Sequence, residues 1–316
     1  MVVYIYKIDY KKIEENIKSL DKSDYLVLKS NAYGFGFKNV LDICYRCGIR
    51  KFCVLEIEDS IYIKTHYHDS TVLLLGPLNK KHLKAYQDYQ IDITITDIGD
   101  LDIISKYNIP YQIEINSGMN RFGLSNYNFD LIKDDLRFKG VYSHNATKDI
   151  YFINDQIQYF FNVVRCLNNK EIHFASSSIK NMKIPFVTAR RIGCDIYQDS
   201  LSVYGRIIQI NYCIKDSYLG YDYSYKLTSD SYIGVINIGY ADGLDRECYG
   251  FMVWIKNKYY PLIGKACMNH SFVLLENDKC LNHKAIIIGK DNNIENYVKY
   301  FNKIPHQIYL SFLKRY

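Results

Sequence analysis

Lys29 is the first residue in this sequence whose position suggests chemistry. It follows a short apolar run, Tyr25–Leu28, that has the length of a buried strand, and Asn31, Gly34 and Gly36 after it are typical of a tight turn. An ammonium group at the end of a buried strand is costly unless it is paired, reaches solvent or forms a bond. A Schiff base with a cofactor is one such bond. The alternative without a function is a lysine that reaches solvent past the strand end.

Other polar side chains that could bind ligands or take part in catalysis lie at or just after the ends of predicted strands. They are Glu114, Arg121, His144, Ser177 and Arg191. In a barrel of parallel strands, active sites form where the carboxyl ends of the strands meet. The positions of these side chains therefore indicate one shared site, although each of them taken alone is more typical of an ordinary loop residue.

The segments that must position these side chains alternate between strands and helices. Asp9 precedes an apolar stripe that includes Ile13 and Ile17, so it is a candidate helix cap. Amphipathic stretches such as Asn79–Tyr89 and Asp97–Tyr107 lie between most of the strands. The eight predicted strands are Tyr25–Leu28, Phe52–Leu55, Thr71–Leu75, Ile91–Ile95, Tyr111–Ile115, Gly140–Ser143, Ile172–Ala175 and Ala189–Gly193. This alternation predicts a (β/α)8 TIM-type barrel of the α/β class, with an open doubly wound sheet as the alternative.

The pattern of apolar residues changes after about Ser200, where the helical periodicity becomes weak. Its predicted strands are Tyr232–Tyr240, Phe251–Ile255, Tyr259–Ile263, Ser271–Leu275 and Ala285–Ile288. Residues 256–258 are the predicted turn between the second and third of these strands. We therefore predict a barrel domain over residues 1–205 and a mainly β domain over residues 206–316, with residues 1–8 as a candidate strand of the second domain.

Composition narrows the class of protein. The 316 residues suffice for one barrel and a smaller domain. Lysine and arginine number 40 against 34 acidic residues, and this excess of +6 is spread without a basic block, which argues against a nucleic-acid partner. The nine cysteines have no regular spacing, and no apolar stretch has the length of a membrane span, so we expect a cytoplasmic protein with reduced thiols and no metal site.

The segment Lys29–Gly36 reads KSNAYGFG, which resembles the lysine motif KANAYGHG of the alanine racemases. Further motifs follow in that family's order, and the resemblance extends from about Ile5 to the C-terminus. Residues Ile238–Gly243 agree with the family's IGYADG at every position, and Ile263–Asn269 resembles VGRxxMD. The resemblance implies a pyridoxal 5'-phosphate-dependent isomerase built from a barrel and a C-terminal β domain.

The resemblance also implies which residues hold the cofactor. Lys29 maps to the lysine that bonds to it, His144 to an imidazole stacked near the pyridine ring, and Arg191 to an arginine that faces the pyridine nitrogen. An arginine there keeps that nitrogen unprotonated, because two donors cannot share one hydrogen bond. The other implied cofactor-binding residues are Tyr33, Ser177, Gly193 and Cys194.

Three residues are implied to bind the substrate, namely Arg121, Tyr240 and Met268. Arg121 maps to an arginine that contacts the substrate carboxylate and the phenolic oxygen of the cofactor, and a planar, permanently charged fork suits both anions. Many family members have a carbamylated lysine where this sequence has Glu114. A glutamate supplies the negative charge directly, so no carbamate should be needed.

The second implied catalytic residue is Tyr221, which stands nineteen residues before Tyr240 in the sequence. The family has Gly-Tyr-Gly around its catalytic tyrosine, and Asp222 replaces the second glycine here. In a chain with 32 tyrosines, Tyr223 and Tyr225 remain alternatives, and the C-terminal Tyr309 receives no role. In the family, this tyrosine comes from the partner subunit of a homodimer and serves one face of the substrate, while the lysine serves the other.

The predicted function is therefore the interconversion of L-alanine and D-alanine by two bases, which supplies D-alanine for cell-wall peptidoglycan. A serine or broad-specificity racemase of the same fold remains open. A non-catalytic pyridoxal-phosphate carrier consists of the barrel alone, so the C-terminal β domain argues against it. A decarboxylase of this fold group is longer and has a cysteine-centred motif that this sequence lacks.

Overall fold

The computed structural model describes residues 5–125, 127–174, 179 and 182–313, and they form two compact units. One unit contains Glu14–Ala32 and Gly36–Ile196. The other contains the residues up to Ile13, the short segment Tyr33–Phe35, and the chain from Tyr197 onward.

The first unit is a closed barrel of eight parallel strands. Its strands are β2 (Tyr25–Val27), β3 (Lys51–Val54), β4 (Thr71–Leu74), β5 (Asp92–Ile95), β6 (Tyr111–Glu114), β7 (Phe138–Tyr142), β8 (Glu171–His173) and β9 (Arg191–Ile192). Strands β2 to β8 pair in chain order, and β9 returns beside β2. A parallel bridge between His173 and Ala189 joins the two ends. All eight predicted strands are confirmed, and the closure decides for the barrel over the open sheet.

Helices connect most of the barrel strands. Those described as far as β9 are α1 (Tyr10–Lys18), α2 (Lys29–Tyr33), α3 (Phe37–Arg46), α4 (Ile57–His66), α5 (Leu83–Tyr89), α6 (Gly99–Ile104) and α7 (Ile150–Val164), of which α2 is a short left-handed turn. Asp9 caps α1 as predicted, since its carboxylate accepts the Lys12 N–H at 3.1 Å. Between β6 and β7 the helical structure over the described residues is a single 3₁₀ turn, Phe129–Leu131. Among the helices that the structure describes, none is long and apolar enough to cross a membrane.

The second unit is a closed antiparallel β-barrel. Its strands are β1 (Tyr6–Ile8), β10 (Leu201–Cys213), β13 (Ser231–Ile236), β14 (Met252–Ile255), β15 (Lys258–Ile263), β16 (Ser271–Leu275) and β17 (Lys284–Ile288), with a small hairpin of β11 (Tyr218–Leu219) and β12 (Tyr225–Lys226) beside them. The long strand β10 pairs with β1, β13 and β17, which closes the sheet. The predicted turn between β14 and β15 is confirmed, since Lys256 and Asn257 have φ values of 46° and 64°.

Sequence reasoning missed several elements of this unit and extended one strand too far. The missed elements are β10, the hairpin of β11 and β12, and two helices, α8 (Ile294–Phe301) and α9 (Pro305–Leu313). The α8 helix carries readable signals, because the Asn293 side chain caps its start and Asn302 ends it in the left-handed region. The strand predicted over Tyr232–Tyr240 ends at Ile236, because Tyr240 begins a 3₁₀ turn.

Gly140 on β7 gives a stability test of the first barrel. A Cβ atom there would lie far inside van der Waals contact of the Glu171 carbonyl oxygen on β8, and backbone atoms cannot move aside cheaply. We expect Gly140→Ala to lower the free energy of unfolding by about 1–3 kcal/mol. Urea denaturation checks this, with Gly99→Ala as the control because its nearest neighbour is a side-chain atom of Asp97 at 3.3 Å and not backbone. Equal midpoints for the two variants would contradict the prediction.

Candidate active site

Lys29 begins an unusual turn directly after β2. The next three residues, Ser30, Asn31 and Ala32, have φ values between 52° and 55°, which is the left-handed helical region. L-residues pay roughly 1–2 kcal/mol each for that conformation, so the fold must hold the turn in place. The Asn31 side chain contributes by accepting the Phe37 N–H at 2.7 Å. Strain of this kind in a non-glycine segment is typical of functional sites.

The Lys29 side chain is half-buried beside another cation. Burial lowers the pKa of Lys29, and the positive charge of Arg121 lowers it further. Both effects favour the neutral amine, which is the nucleophilic and proton-accepting form of lysine.

Arg191 on β9 is a buried charge, with 5% of its surface exposed. Its Nη2 donates to the Ser143 carbonyl at 2.6 Å, and its guanidinium lies 4.6 Å from the centre of the Tyr142 ring. Its Nη1 is buried and meets no hydrogen-bond acceptor among the residues that the structure describes. A buried guanidinium N–H without an acceptor is costly, so this atom indicates where a ligand acceptor would be stabilised.

His144 follows β7 and lies against Arg191. Its Nδ1 is 3.5 Å from Arg191 Nη2, and since arginine can only donate, Nδ1 is the acceptor and the imidazole proton is on Nε2. Burial lowers the pKa of His144 to about 3, and the charges of Arg191, Arg121 and Lys29 act in the same direction. The imidazole is therefore neutral near pH 7.

Glu114 ends β6 and balances these cations. Its carboxylate accepts from the Tyr142 hydroxyl at 3.2 Å and lies 4.0 Å from Arg121 Nη2. Burial raises the pKa of Glu114, while Arg191, Arg121 and the Tyr142 hydrogen bond lower it. Sequence reasoning missed Tyr142, which links Glu114 to the Arg191 side of the site, and in a tyrosine-rich chain only its position before Ser143 and His144 could have singled it out.

The other residues that were predicted to bind the cofactor have the following surroundings. Gly193 and Cys194 come directly after Ile192, the last residue of β9, and Cys194 begins the 3₁₀ turn Cys194–Tyr197. Ser177 lies outside the described residues. The Tyr33 ring packs 5.5 Å from the Tyr197 ring and 6.4 Å from the His306 ring in the second unit.

Tyr221 stands at the surface of the second unit. It begins the 3₁₀ turn Tyr221–Tyr223, and 69% of its surface is exposed. Asp222 occupies the left-handed region at φ 58°, which explains how a non-glycine residue can stand where the family has glycine. Of the two alternatives, Tyr223 is also exposed, whereas the Tyr225 ring packs 5.5 Å from the Tyr249 ring.

Tyr240 and Met268 are brought together by two backbone hydrogen bonds between their segments. The Tyr240 N–H donates to the Cys267 carbonyl at 3.1 Å, and the Ala241 N–H donates to the Met268 carbonyl at 2.9 Å. Gly239 permits this approach, because a Cβ there would collide with the Cys267 carbonyl oxygen. Both Tyr240 and Met268 remain exposed. Tyr309, by contrast, is buried and donates to the Tyr197 carbonyl at 3.3 Å, which is a packing role.

The charge state of His144 can be tested by titration. Because burial and three cations disfavour the imidazolium, we expect His144 to stay neutral between about pH 8 and pH 5 and to protonate only near pH 3. Nuclear magnetic resonance of protein labelled with ¹⁵N in its histidine rings measures this, and His144→Gln assigns the signal. A midpoint above about pH 6 would contradict the geometry described for Arg191 and His144.

Sequence comparisons place both units in one family. The family model described as alanine racemase, N-terminal domain, matches residues 8–200, and that described as alanine racemase, C-terminal domain, matches residues 200–316. An alanine racemase of Listeria monocytogenes serotype 4a is 25% identical over 344 aligned residues, which cover 96% of this chain and 93% of the relative. An alanine racemase of Streptococcus equi subsp. zooepidemicus is 24% identical and covers 85% of this chain and 84% of its own.

Solved structures agree in fold. Alanine racemase from E. faecalis superposes with a TM-score of 0.87 at 21% identity, covering 99% of this chain and 98% of that one. Alanine racemase from Bartonella henselae, solved with covalently bound pyridoxal phosphate, gives a TM-score of 0.88 at 23% identity with the same coverage. With both family models matched across residues 8–316, this chain belongs to the alanine racemase family.

Proposed function

We propose that this protein interconverts L-alanine and D-alanine with pyridoxal 5'-phosphate held in the barrel unit. The observation that carries the proposal is the buried Arg191 guanidinium, whose Nη1 meets no acceptor among the described residues, beside a neutral His144 and a carboxylate at Glu114. The names of the relatives support alanine as the substrate in preference to serine or a broad range of amino acids.

The donor set fits this cofactor. An unprotonated pyridine nitrogen is the kind of acceptor that Arg191 Nη1 requires, and an amine with a lowered pKa, such as Lys29, suits a covalent bond to an aldehyde. When bound, pyridoxal phosphate supplies an electron sink for the charge that develops when the Cα proton leaves. Because Arg191 is permanently charged, it would keep the ring nitrogen unprotonated and so would moderate that sink. Tyr33, Ser177, Gly193 and Cys194 are proposed to complete the cofactor site.

Arg121 is proposed to bind the substrate carboxylate. Its side chain is 47% exposed, so it remains accessible to a ligand, while Glu114 stands 4.0 Å away. A carboxylate at that distance orients the guanidinium by charge attraction. Glu114 would thereby do what a carbamylated lysine does in many family members, without a need for bicarbonate.

Two bases on opposite faces of Cα are proposed to move the proton. Lys29 would serve one face, because its amine is half-buried and its pKa is lowered. Tyr221 would serve the other face, and its exposed position supports a role toward a second subunit. We therefore propose a homodimer in which the site that contains Lys29 is completed by Tyr221 of the partner subunit, with Tyr240 and Met268 contributing to substrate binding.

The biological setting is proposed from the chemistry and the family. D-alanine would supply the synthesis of cell-wall peptidoglycan. All nine cysteines are free thiols, which supports a reducing compartment such as the cytoplasm.

The direct test of the proposal uses Lys29. We expect the purified protein with pyridoxal phosphate to racemise alanine, and borohydride to fix the cofactor on the Lys29 peptide in mass spectra. Lys29→Ala should lose at least roughly 10²–10⁴-fold of the activity, because it loses both the bond and one base. Lys22→Ala, at an exposed position, is the control. Wild-type protein without alanine racemisation, or a tag on another lysine, would disprove the assignment.

Tyr221→Phe tests the hypothesis that two bases act on opposite faces of Cα. The ring remains, so packing should hold, and only the proton-transferring hydroxyl disappears. We expect the variant to exchange the α-hydrogen of D-alanine with deuterated water while conversion to L-alanine falls roughly 10²–10⁴-fold. Tyr223→Phe, at a similarly exposed position, is the control and should racemise normally.

Mixed dimers test where Tyr221 acts. If it serves the partner's site, mixing Lys29→Ala subunits with Tyr221→Phe subunits should restore activity, because one site of each heterodimer then has both groups. Mixtures that stay inactive would place Tyr221 outside the partner's site.

A further inference from the structure

Gln156 is a buried amide on α7 that reaches two loops of the site. Only 7% of its surface is exposed, whereas Gln158, two residues on, is exposed. Its Oε1 accepts the Ala146 N–H at 3.0 Å, and its Nε2 lies 3.4 Å from Ser117 Oγ and 3.5 Å from the His144 carbonyl oxygen. A buried amide is stable only where such partners are present, so the side chain and the two loops hold each other.

The hydroxyl protons in this group can be assigned from the acceptors. Ser143 Oγ donates to the Ile115 carbonyl at 2.6 Å, and this uses its single proton. Ser117 Oγ, 2.6 Å from Ser143 Oγ, must then donate to it. Ser117 therefore has only lone pairs left for Gln156, so position 156 must supply a donor toward Ser117 and an acceptor toward Ala146.

The same group leads to the charged side chains of the site. Ser117 lies four residues before Arg121 in the same loop, and His144 follows Ser143 directly. The Ser143 carbonyl accepts from Arg191 Nη2 at 2.6 Å. Gly118 permits close packing of the Arg121 loop, because its φ is 131° and a Cβ there would lie 3.3 Å from Gln156 Nε2.

We propose that Gln156 is a positioning residue for the reaction. Through Ser117 it holds the loop that carries Arg121, and through the His144 carbonyl and the Ala146 N–H it holds the loop that carries His144. Through Ser117 and Ser143 together it fixes the carbonyl that orients Arg191. The proposal rests on the proposed function, since the groups positioned are those that would hold the cofactor and the substrate.

Two substitutions separate positioning from simple packing. Gln156→Met fills similar space without polar groups, and we expect it to lower kcat about 10- to 100-fold, because small displacements of catalytic groups are that costly. Gln158→Met on the same helix is the matched control and should keep wild-type kcat.

Gln156→Glu provides a pH signature. A protonated carboxyl group can accept from Ala146 and donate to Ser117, as the amide does, whereas an ionised one can only accept. The kcat of this variant divided by that of the wild type should be highest at low pH, but below one because the donor toward the His144 carbonyl is lost, and it should fall as the introduced carboxyl ionises. Asp155 and Tyr159 line the same cavity as Gln156, and His144 contacts it through its carbonyl oxygen. These titratable groups are present in both proteins, so the ratio removes the contributions that the two proteins share. A ratio that does not change with pH would overturn the proposal.

A measurement without the cofactor separates this proposal from the proposed function. Hydrogen–deuterium exchange of the cofactor-free protein should be faster at Ala146 and across residues 116–124 in Gln156→Met, and unchanged in Gln158→Met. If the wild type failed to racemise alanine, the proposed function would be wrong, yet faster exchange would still show that Gln156 holds the loops. Unchanged exchange in Gln156→Met, or wild-type kcat in that variant, would refute the role of Gln156.

Discussion

The burial of the Arg191 guanidinium is the constraint on which the rest of the site depends. A permanently charged group inside a barrel is tolerated only when its N–H groups and its charge are matched. The Ser143 carbonyl and the Tyr142 ring face provide part of that match. His144 is neutral, because burial and the positive charge of Arg191 both disfavour the imidazolium form. The unmatched Nη1 then defines where a ligand acceptor gains most.

Electrostatics across the site follow from this arrangement. Three cations, namely Lys29, Arg121 and Arg191, lower the pKa of His144, and one buried carboxylate at Glu114 offsets them. The result is a net positive region, which suits a phosphorylated cofactor and an amino-acid carboxylate. Glu114 is anchored by the Tyr142 hydroxyl, so the negative charge is fixed while the half-exposed Arg121 retains freedom to meet a ligand.

Backbone geometry also supports the site. Directly after Lys29 in the chain, the four residues from Ser30 to Tyr33 adopt the left-handed conformation, and the Asn31 side chain helps to hold the turn. Glycines allow close approaches elsewhere, at Gly140 between two barrel strands and at Gly239 in the second unit. Part of the IGYADG motif has a structural role. Asp242 accepts the Gly239 N–H at 2.9 Å and so stabilises the turn that carries Tyr240.

Sequence patterns sufficed to predict the eight barrel strands and the hairpin turn at residues 256–257. They also placed four side chains near strand ends, namely Lys29, Glu114, His144 and Arg191. These are local properties, since apolar runs, turn residues and motif spacing act over a few residues. Three contacts depend on the folded chain and could not be predicted: Tyr142 with Glu114, Ser143 with Arg191, and Gln156 with two loops. Ser143 and Arg191 are 48 residues apart, and their contact exists because the closed sheet brings the ends of β7 and β9 to the same rim. On α7, Gln156 is buried and Gln158 is exposed. This difference depends on which face of the helix the barrel covers, and composition does not encode that face.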